Sequence, residues 1–233
     1  MNAPSRLVMA HRGASAEQTG NTIAAFQLAA TLGADYIELD TRFTADRALV
    51  VLHDPTFDGG TVLCETNEVD LPEWLPTLRA ALAACGESVI NIEIKNRPYD
   101  PDYDPMFGIV EPIAQLVMEL DLADQVLVSC FDPGVLARLA EVEPSIDRAR
   151  LLLKEHFRPD GLARIADRGA VAVHPQDSMV DEAYVAAAHD LGLAVNVWTV
   201  DDPRRQIELY EIGVNAVCTS DPGQLLALLG RRE

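Results

Sequence analysis

Four pairs of polar residues stand at or just beyond the ends of short apolar runs. His11-Arg12 follows LVMA (7–10), Glu38 and Asp40 lie in YIELD (36–40), His53-Asp54 closes the run ALVVLH (48–53), and Glu93 and Lys95 end INIEIK. Residues two apart in a strand share a face, so Glu38 lies beside Asp40 and Glu93 beside Lys95. Charges persist in buried strands only when they pair or hold a cation. Three carboxylates meeting at one mouth suit a hard divalent cation, Mg²⁺ or Ca²⁺. Zn²⁺, which prefers nitrogen and sulfur, fits less well. With such a cation, Arg12 and Lys95 bring the group to a formal charge of +1, which a singly negative phosphodiester neutralises. That is a site for binding and polarising a phosphodiester. His11 and His53 titrate near neutrality when unperturbed and are the candidate acid/base pair. Taken singly, each pair has an ordinary structural explanation, a satisfied strand-end histidine or an ion pair. Their coincidence at strand ends favours chemistry.

Short apolar runs alternate with amphipathic stretches along the chain, and these must position the polar pairs. The expected strands are LVMA (7–10), YIELD (36–40), INIEI (90–94), VLVSC (126–130), RARLLL (148–153), AVAV (170–173), AVNVWTV (194–200) and AVCTS (216–220), with ALVVLH as an extra strand. Helical patterns lie between them, several opening on Asp, Pro or Thr and closing on Gly. Pro112 inside FGIVEPIAQLVMEL should kink or restart that helix. Near-continuous apolar strands alternating with helices imply a parallel sheet. Eight such units in 233 residues fit a closed (β/α)8 TIM barrel, α/β in class, better than an open sheet. No linker divides the chain, so residues 1–233 read as a single domain. Catalytic groups of such barrels come from the C-terminal strand ends, which is where the four pairs fall. The long connections 54–76 and 96–107 lie on that same face; the first shows little regular pattern, and both are expected to build the substrate pocket.

Composition narrows the partners. Eighteen Lys+Arg against 37 Asp+Glu give a net charge of −19, which repels nucleic acid and anionic membrane. An anionic substrate therefore needs local positive charge. Cys64, Cys85, Cys130 and Cys218 lie far apart, with no CxxC, and read as reduced cysteines of a cytoplasmic protein. The opening MNAPSRLVMAHRG has too short an apolar run for a signal peptide. No stretch approaches the roughly 18 apolar residues that span a bilayer, so no stable membrane association is expected. Oligomeric state is not legible.

The motifs together resemble the glycerophosphodiester phosphodiesterase family. AHRGAS, GNTIAAFQLAATLGADYIELDTRFTADRALVVLHDPTFD, LPTLRAAL, NIEIK, VSCFDPGVLARL, GLAVNVWTVDD and GVNAVCTSDP occur in that family's order, from residue 10 to about 222. The resemblance implies a TIM-barrel enzyme using Mg²⁺ or Ca²⁺ that hydrolyses small glycerophosphodiesters to sn-glycerol 3-phosphate and an alcohol. It implies Glu38, Asp40 and Glu93 as metal ligands, His11 and His53 as the general acid/base pair, and Arg12 and Lys95 as phosphate contacts. Trp198 is similar to the family's aromatic near the glycerol moiety. The neighbouring glycerol hydroxyl would be the nucleophile, through a cyclic phosphate that water opens. Three places depart from the pattern: Thr19-Gly20-Asn21-Thr22 lacks the usual Glu, for which Glu17 is a nearby substitute; Gly59-Gly60-Thr61 replaces an Arg-Thr-Thr segment; and Ser220 precedes Asp221 where Thr-Asp is usual.

Other residues weigh less. His174 is expected to be structural at the end of strand six, and His189 to lie on the surface. His156 with Lys154 is a weaker substrate candidate. Phe131 reads equally as pocket wall or packing, and Trp74 as packing anchor or lid. Two other readings keep the fold: a phosphodiesterase acting on lysophospholipids or another diester, and a non-catalytic barrel that binds a phosphorylated ligand. The intact histidines and carboxylates argue against the second.

Overall fold

Eight parallel strands pair in a ring in the computed structural model, which describes residues 6–154 and 161–231. They are β1 (Leu7–Ala10), β2 (Tyr36–Phe43), β3 (Val89–Ile94), β4 (Val126–Cys130), β5 (Asp147–Leu152), β6 (Ala172–Pro175), β7 (Ala194–Val197) and β8 (Ala216–Thr219). The ring closes because β1 pairs with β2 on one side and with β8 on the other, Ala10 opposite both Ile37 and Thr219. Helices follow the strands: α1 (Ile23–Leu32), α2 (Leu78–Ala84), α3 (Val110–Glu119), α4 (Pro133–Val142), α5 (Gly161–Asp167), α6 (Glu182–Asp190), α7 (Pro203–Glu211) and α8 (Pro222–Leu228). The TIM barrel expected from the sequence is therefore the fold.

Strand alternation sorts the side chains. Val8, Ile37, Leu39, Ile92, Val128 and Val217 join a continuous apolar cluster with the helical residues Phe26, Leu139 and Leu209. The opposite face fills the barrel. Its lowest storey is Leu127, Ala149 and Ala172, packed by Tyr36 and Ala194. Above it polar residues, among them Asn91, Ser129, His174 and Asn196, are buried beside Met9, Leu151 and Cys218. The interior is thus plugged by hydrocarbon at the bottom and mixes polar with apolar side chains toward the C-terminal mouth.

Helix starts follow ordinary capping chemistry. The side chains of Thr22, Asp132, Asp181, Asp202 and Asp221 each accept an amide hydrogen bond from the first turn of their helix. Pro112 does not kink α3; it stands in the first turn of a helix that begins at Val110, where the missing N–H has no intrahelical partner to lose. Phe107, at φ 57°, turns the chain before it.

Three expectations shift. Strand six lies two residues later than AVAV, at Ala172–Pro175, which carries His174 into the barrel interior. Strand seven ends at Val197, and Trp198 is held beyond it by an isolated bridge to Gln176. Residues 54–76 are more ordered than their sequence suggests. A hairpin pairs Thr56–Phe57 with Thr61–Val62, and two 3-10 turns follow at Leu63–Glu65 and Glu68–Asp70. A small separate core of Val50, Leu52, Leu63 and Leu75 lies beneath them. Gly59 and Gly60 close the hairpin at φ 83° and 118°, backbone that only glycine adopts freely. The departure at Gly59 thus serves turn geometry.

Beyond its parallel section, β2 continues as Thr41–Phe43 and pairs antiparallel with a side strand, Leu49–Val51. This overhang lifts the chain above the barrel mouth and leads it directly to His53. All four cysteines are free. No described helix is long and apolar enough to cross a membrane.

Candidate active site

The turn after β1 sets the first residues. His11 donates its amide hydrogen to the Thr219 carbonyl at 2.9 Å, fastening it to β8. Arg12 then adopts φ 57° and Gly13 φ 81°. At Gly13 a Cβ would lie 2.6 Å from the backbone carbon of Ala25, so only glycine allows α1 this close. The reversed backbone turns the Arg12 amide onto Glu38 Oε2, at 2.8 Å.

Glu38, Asp40, Glu93 and Lys95 are all buried. Asp40 lies opposite Glu93 in the β2–β3 register. Lys95 Nζ sits 2.8 Å from Asp40 Oδ1 and 2.5 Å from Glu93 Oε1. Arg12 Nε approaches Asp40 Oδ2 at 3.4 Å. Asn21, also at positive φ, donates its side-chain amide to Asp40 Oδ2 at 2.7 Å and accepts from the Asp40 amide. One oxygen from each of the three carboxylates lies within 4.8 Å of the others.

Electrostatics separate the carboxylates. Burial, and then repulsion from Asp40 and Glu93, pushes Glu38 well above the usual carboxylate range. Burial also raises Glu93, against the pull of Lys95. Asp40 goes the other way: burial opposes ionisation, but Lys95, His53 and Arg12 together hold it below its ordinary value. Three buried carboxylates thus share too little positive charge. All-oxygen donors, close spacing and this charge deficit fit a hard divalent cation; the geometry does not distinguish magnesium from calcium.

Both imidazoles face the same cleft. His11 is pushed down to about 4 by burial first and by the Arg12 charge second. His53 is also lowered, by burial and then by Lys95. Its Nδ1 lies 2.7 Å from Asp54 Oδ1, a contact that works in the opposite direction.

The cleft has a volume of about 120 Å³. His11, Arg12, His53, Glu93, Lys95 and Trp198 line it, together with Glu38; Asp40 sits behind this lining, held by Lys95 and Asn21. One wall is aromatic. Phe131 and Trp198 meet edge to face, centroids 5.7 Å apart, and the Arg97 guanidinium lies 5.2 Å over the Phe131 ring. Trp198 Nε1 donates to the His174 carbonyl at 2.7 Å. His174 is 2% exposed, contacts Asn196 at 3.0 Å, and is lowered to about 3 by burial. It is both structural and part of the cleft floor.

All eight residues singled out in the sequence thus gather at one mouth. Of the weaker candidates, Phe131 lines the cleft and packs as well. Lys154 is exposed and Trp74 is 44% exposed; neither lines the cleft. His156 lies outside the described residues. His189 is exposed and contacts Asn215. Glu17 is exposed and does not line the cleft, while at Gly20 a Cβ would crowd the Arg12 Cβ at 3.1 Å. Ser220 binds Asp201 through its amide and hydroxyl, tying the loop after β7 to β8. Asn21, Arg42 and Arg97 were not singled out by type and spacing. Asn21 is legible only as the polar residue of GNT ahead of α1.

Buried carboxylates and paired imidazoles at the C-terminal mouth of a closed (β/α)8 barrel are the construction of a barrel hydrolase. A sequence profile described as the glycerophosphoryl diester phosphodiesterase family matches residues 11–224. A glycerophosphodiester phosphodiesterase of Caldanaerobacter subterraneus subsp. tengcongensis is 30% identical over 96% of this chain and 97% of its own. Among solved structures, a glycerophosphodiester phosphodiesterase from Parabacteroides distasonis superposes with a TM-score of 0.85 at 23% identity, covering 99% of each chain. A phosphodiesterase from Oleispira antarctica, solved with its product sn-glycerol-3-phosphate, gives 0.83 at 23% identity over 97% of each chain. The chain belongs to the glycerophosphoryl diester phosphodiesterase family and is an enzyme of that class.

Proposed function

We propose that this protein hydrolyses small glycerophosphodiesters to sn-glycerol 3-phosphate and an alcohol, with a divalent cation and two histidines as acid and base. The observation that carries the reading is the single cleft on which Glu38, Glu93, His11, His53, Arg12 and Lys95 converge. In this reading Glu38, Asp40 and Glu93 hold Mg²⁺ or Ca²⁺. Such a cation supplies Lewis-acid polarisation of a phosphoryl oxygen and offsets charge building on it.

Arg12 and Lys95 bind and orient the phosphate, and Trp198, backed by Phe131, packs the glycerol carbons. His11 and His53 serve as the acid/base pair: one takes the proton from the glycerol hydroxyl next to the ester. That oxygen attacks phosphorus and closes a cyclic phosphate, as the other histidine gives a proton to the departing alcohol. Water then opens the ring with the two roles exchanged. Four cysteines without a disulfide are compatible with a reducing, cytoplasmic setting; the place in lipid and glycerol metabolism rests on the proposed substrate.

The test is a panel of glycerophosphodiesters titrated with Mg²⁺ and Ca²⁺, measuring glycerol 3-phosphate separately from free alcohol. Turnover should need the cation and stop on chelation. His11→Ala and His53→Ala should each lose roughly 10²- to 10⁴-fold in rate with unchanged circular dichroism. Full activity in either variant would remove the acid/base assignment; no turnover of any diester would favour the ligand-binding reading.

A further inference from the structure

Arg42 extends the inward-facing row of β2 one step past Glu38 and Asp40, on the overhang above the mouth. Its side chain is 1% exposed. Nε and Nη2 both donate to the carbonyl oxygen of His53, at 3.0 and 2.8 Å. Nη1 donates to both carboxylate oxygens of Asp102, at 2.7 and 2.6 Å, and Nη2 to Asp100 Oδ2 at 2.7 Å. Its five N–H bonds are therefore committed, and none remains for a phosphate.

The acceptors come from two loops. His53 leaves the side strand, and Asp100 and Asp102 lie in the 96–107 connection, which was expected to serve the substrate directly. Besides Arg97, which lines the cleft, this connection supplies two carboxylates that hold a guanidinium, and the guanidinium holds the backbone of a cleft histidine. A second hydrogen bond, from the Leu52 amide to the Asp40 carbonyl at 3.0 Å, fixes the preceding residue. The His53 main chain is thus gripped on both sides by β2, the strand that also carries Glu38 and Asp40. The planar fork is essential to this arrangement, because a lysine ammonium cannot reach three separate acceptors in one plane.

We propose that Arg42 is a positioning residue for His53. It acts through the His53 carbonyl to set the imidazole against the phosphate, with Asp100 and Asp102 as its anchor. The inference rests on the proposed acid/base role of His53. A displacement of about 1 Å at a reacting group costs on the order of 100-fold in rate, which sets the expected scale.

The experiment compares Arg42→Lys, His53→Ala and the double variant of the full chain. Two substrates are used, each with saturating Mg²⁺: glycerophosphoethanolamine, and a nitrophenyl ester of glycerol phosphate whose leaving group needs no proton. Arg42→Lys should lower kcat by about 10- to 100-fold and leave KM within about twofold. Its loss should follow that of His53→Ala from one substrate to the other. On the nitrophenyl ester the double variant should be no slower than His53→Ala alone. Guanidinium ion should restore part of kcat to Arg42→Ala, and Arg42→Lys keeps the experiment readable if that variant does not fold. The proposal is overturned if the single losses multiply in the double variant, or if Arg42→Lys raises KM and spares kcat. A fully active His53→Ala would instead remove the underlying acid/base reading, and this proposal with it.

Discussion

Lys95→Met is the sharpest perturbation of the carboxylate cluster. It removes the ammonium lying 2.8 Å from Asp40 and 2.5 Å from Glu93 while keeping a side chain of similar length. Both partners are buried, so without cation the variant holds three carboxylates with Arg12 as the nearest remaining positive charge. Removing one partner of a buried pair typically costs about 3–5 kcal/mol. For a domain of this size that corresponds to a fall of roughly 6–20 °C in Tm. Proton uptake relieves part of the cost, and Glu38 and Glu93 are already raised toward protonation; the fall should therefore shrink as pH drops. A divalent cation supplies the missing charge more completely. Lys95 also competes with it for oxygens of Asp40 and Glu93, so Lys95→Met should bind the cation more tightly even as it loses the proposed phosphate contact and, with it, activity. Differential scanning calorimetry in chelator, and then across a Mg²⁺ or Ca²⁺ titration, checks this. The Tm gap should be wide in chelator and narrower at a shared metal concentration, because stabilisation grows as RT ln(1 + [L]/Kd) and each tenfold tighter Kd gives the variant about 1.4 kcal/mol more than the parent. An equal gap in chelator and in metal, or a weaker metal response in the variant, would refute this account of the cluster.

Two further outcomes follow from the fold. Gly13→Ala combines φ 81° with a Cβ 2.6–2.8 Å from Ala25 atoms, and should cost more than about 2 kcal/mol, seen as a lowered urea midpoint; an unchanged midpoint would contradict the close approach of α1. His174 stays neutral in the fold down to about pH 3, whereas an unfolded histidine takes its proton near 6.5. Its contribution is complete above pH 6.5 and declines as pH falls toward 3, by about 2–3 kcal/mol between pH 7 and 4.5. Denaturation of His174→Leu across that range should show a correspondingly flatter pH slope, and parallel slopes would rule out burial of the neutral ring.

Much of this molecule is readable from local pattern. Each barrel strand is an apolar run flanked by a capped helix, and the polar residues that interrupt those runs mark the mouth. His11, Glu38, Asp40, His53, Glu93 and Lys95 are conspicuous for that reason. The residues that hold them are less conspicuous, because their partners are distant in sequence. Arg42 reads as one more charge in TRFTADR, and its acceptors Asp100 and Asp102 are 58 and 60 positions away. Asn21 lies 19 positions from Asp40. Residues 54–76 lack periodicity because their order comes from a tight hairpin and a few apolar contacts beneath it. Strand six reads two residues early because AVAV and AVHP are equally apolar up to His174, and only pairing with β5 and β7 sets the register.

Closure of the ring has a consequence for how activity arises during folding. His11 is held by β8, and the Tyr210 hydroxyl donates to the Leu7 carbonyl across 203 positions of chain. One of the two histidines is therefore fastened by nearly the last piece of the barrel to emerge from a ribosome. Such long-range pairing is slow, because the entropy of closing the loop is lost before the contacts form. An open sheet lacking only β8 would retain Glu38, Asp40 and Glu93 on paired strands and Arg12 on Glu38, yet leave the His11 backbone without its Thr219 partner. Turnover would then be a direct clock for barrel closure. In a refolding experiment its recovery should lag the far-ultraviolet signal and coincide with the last change in near-ultraviolet circular dichroism.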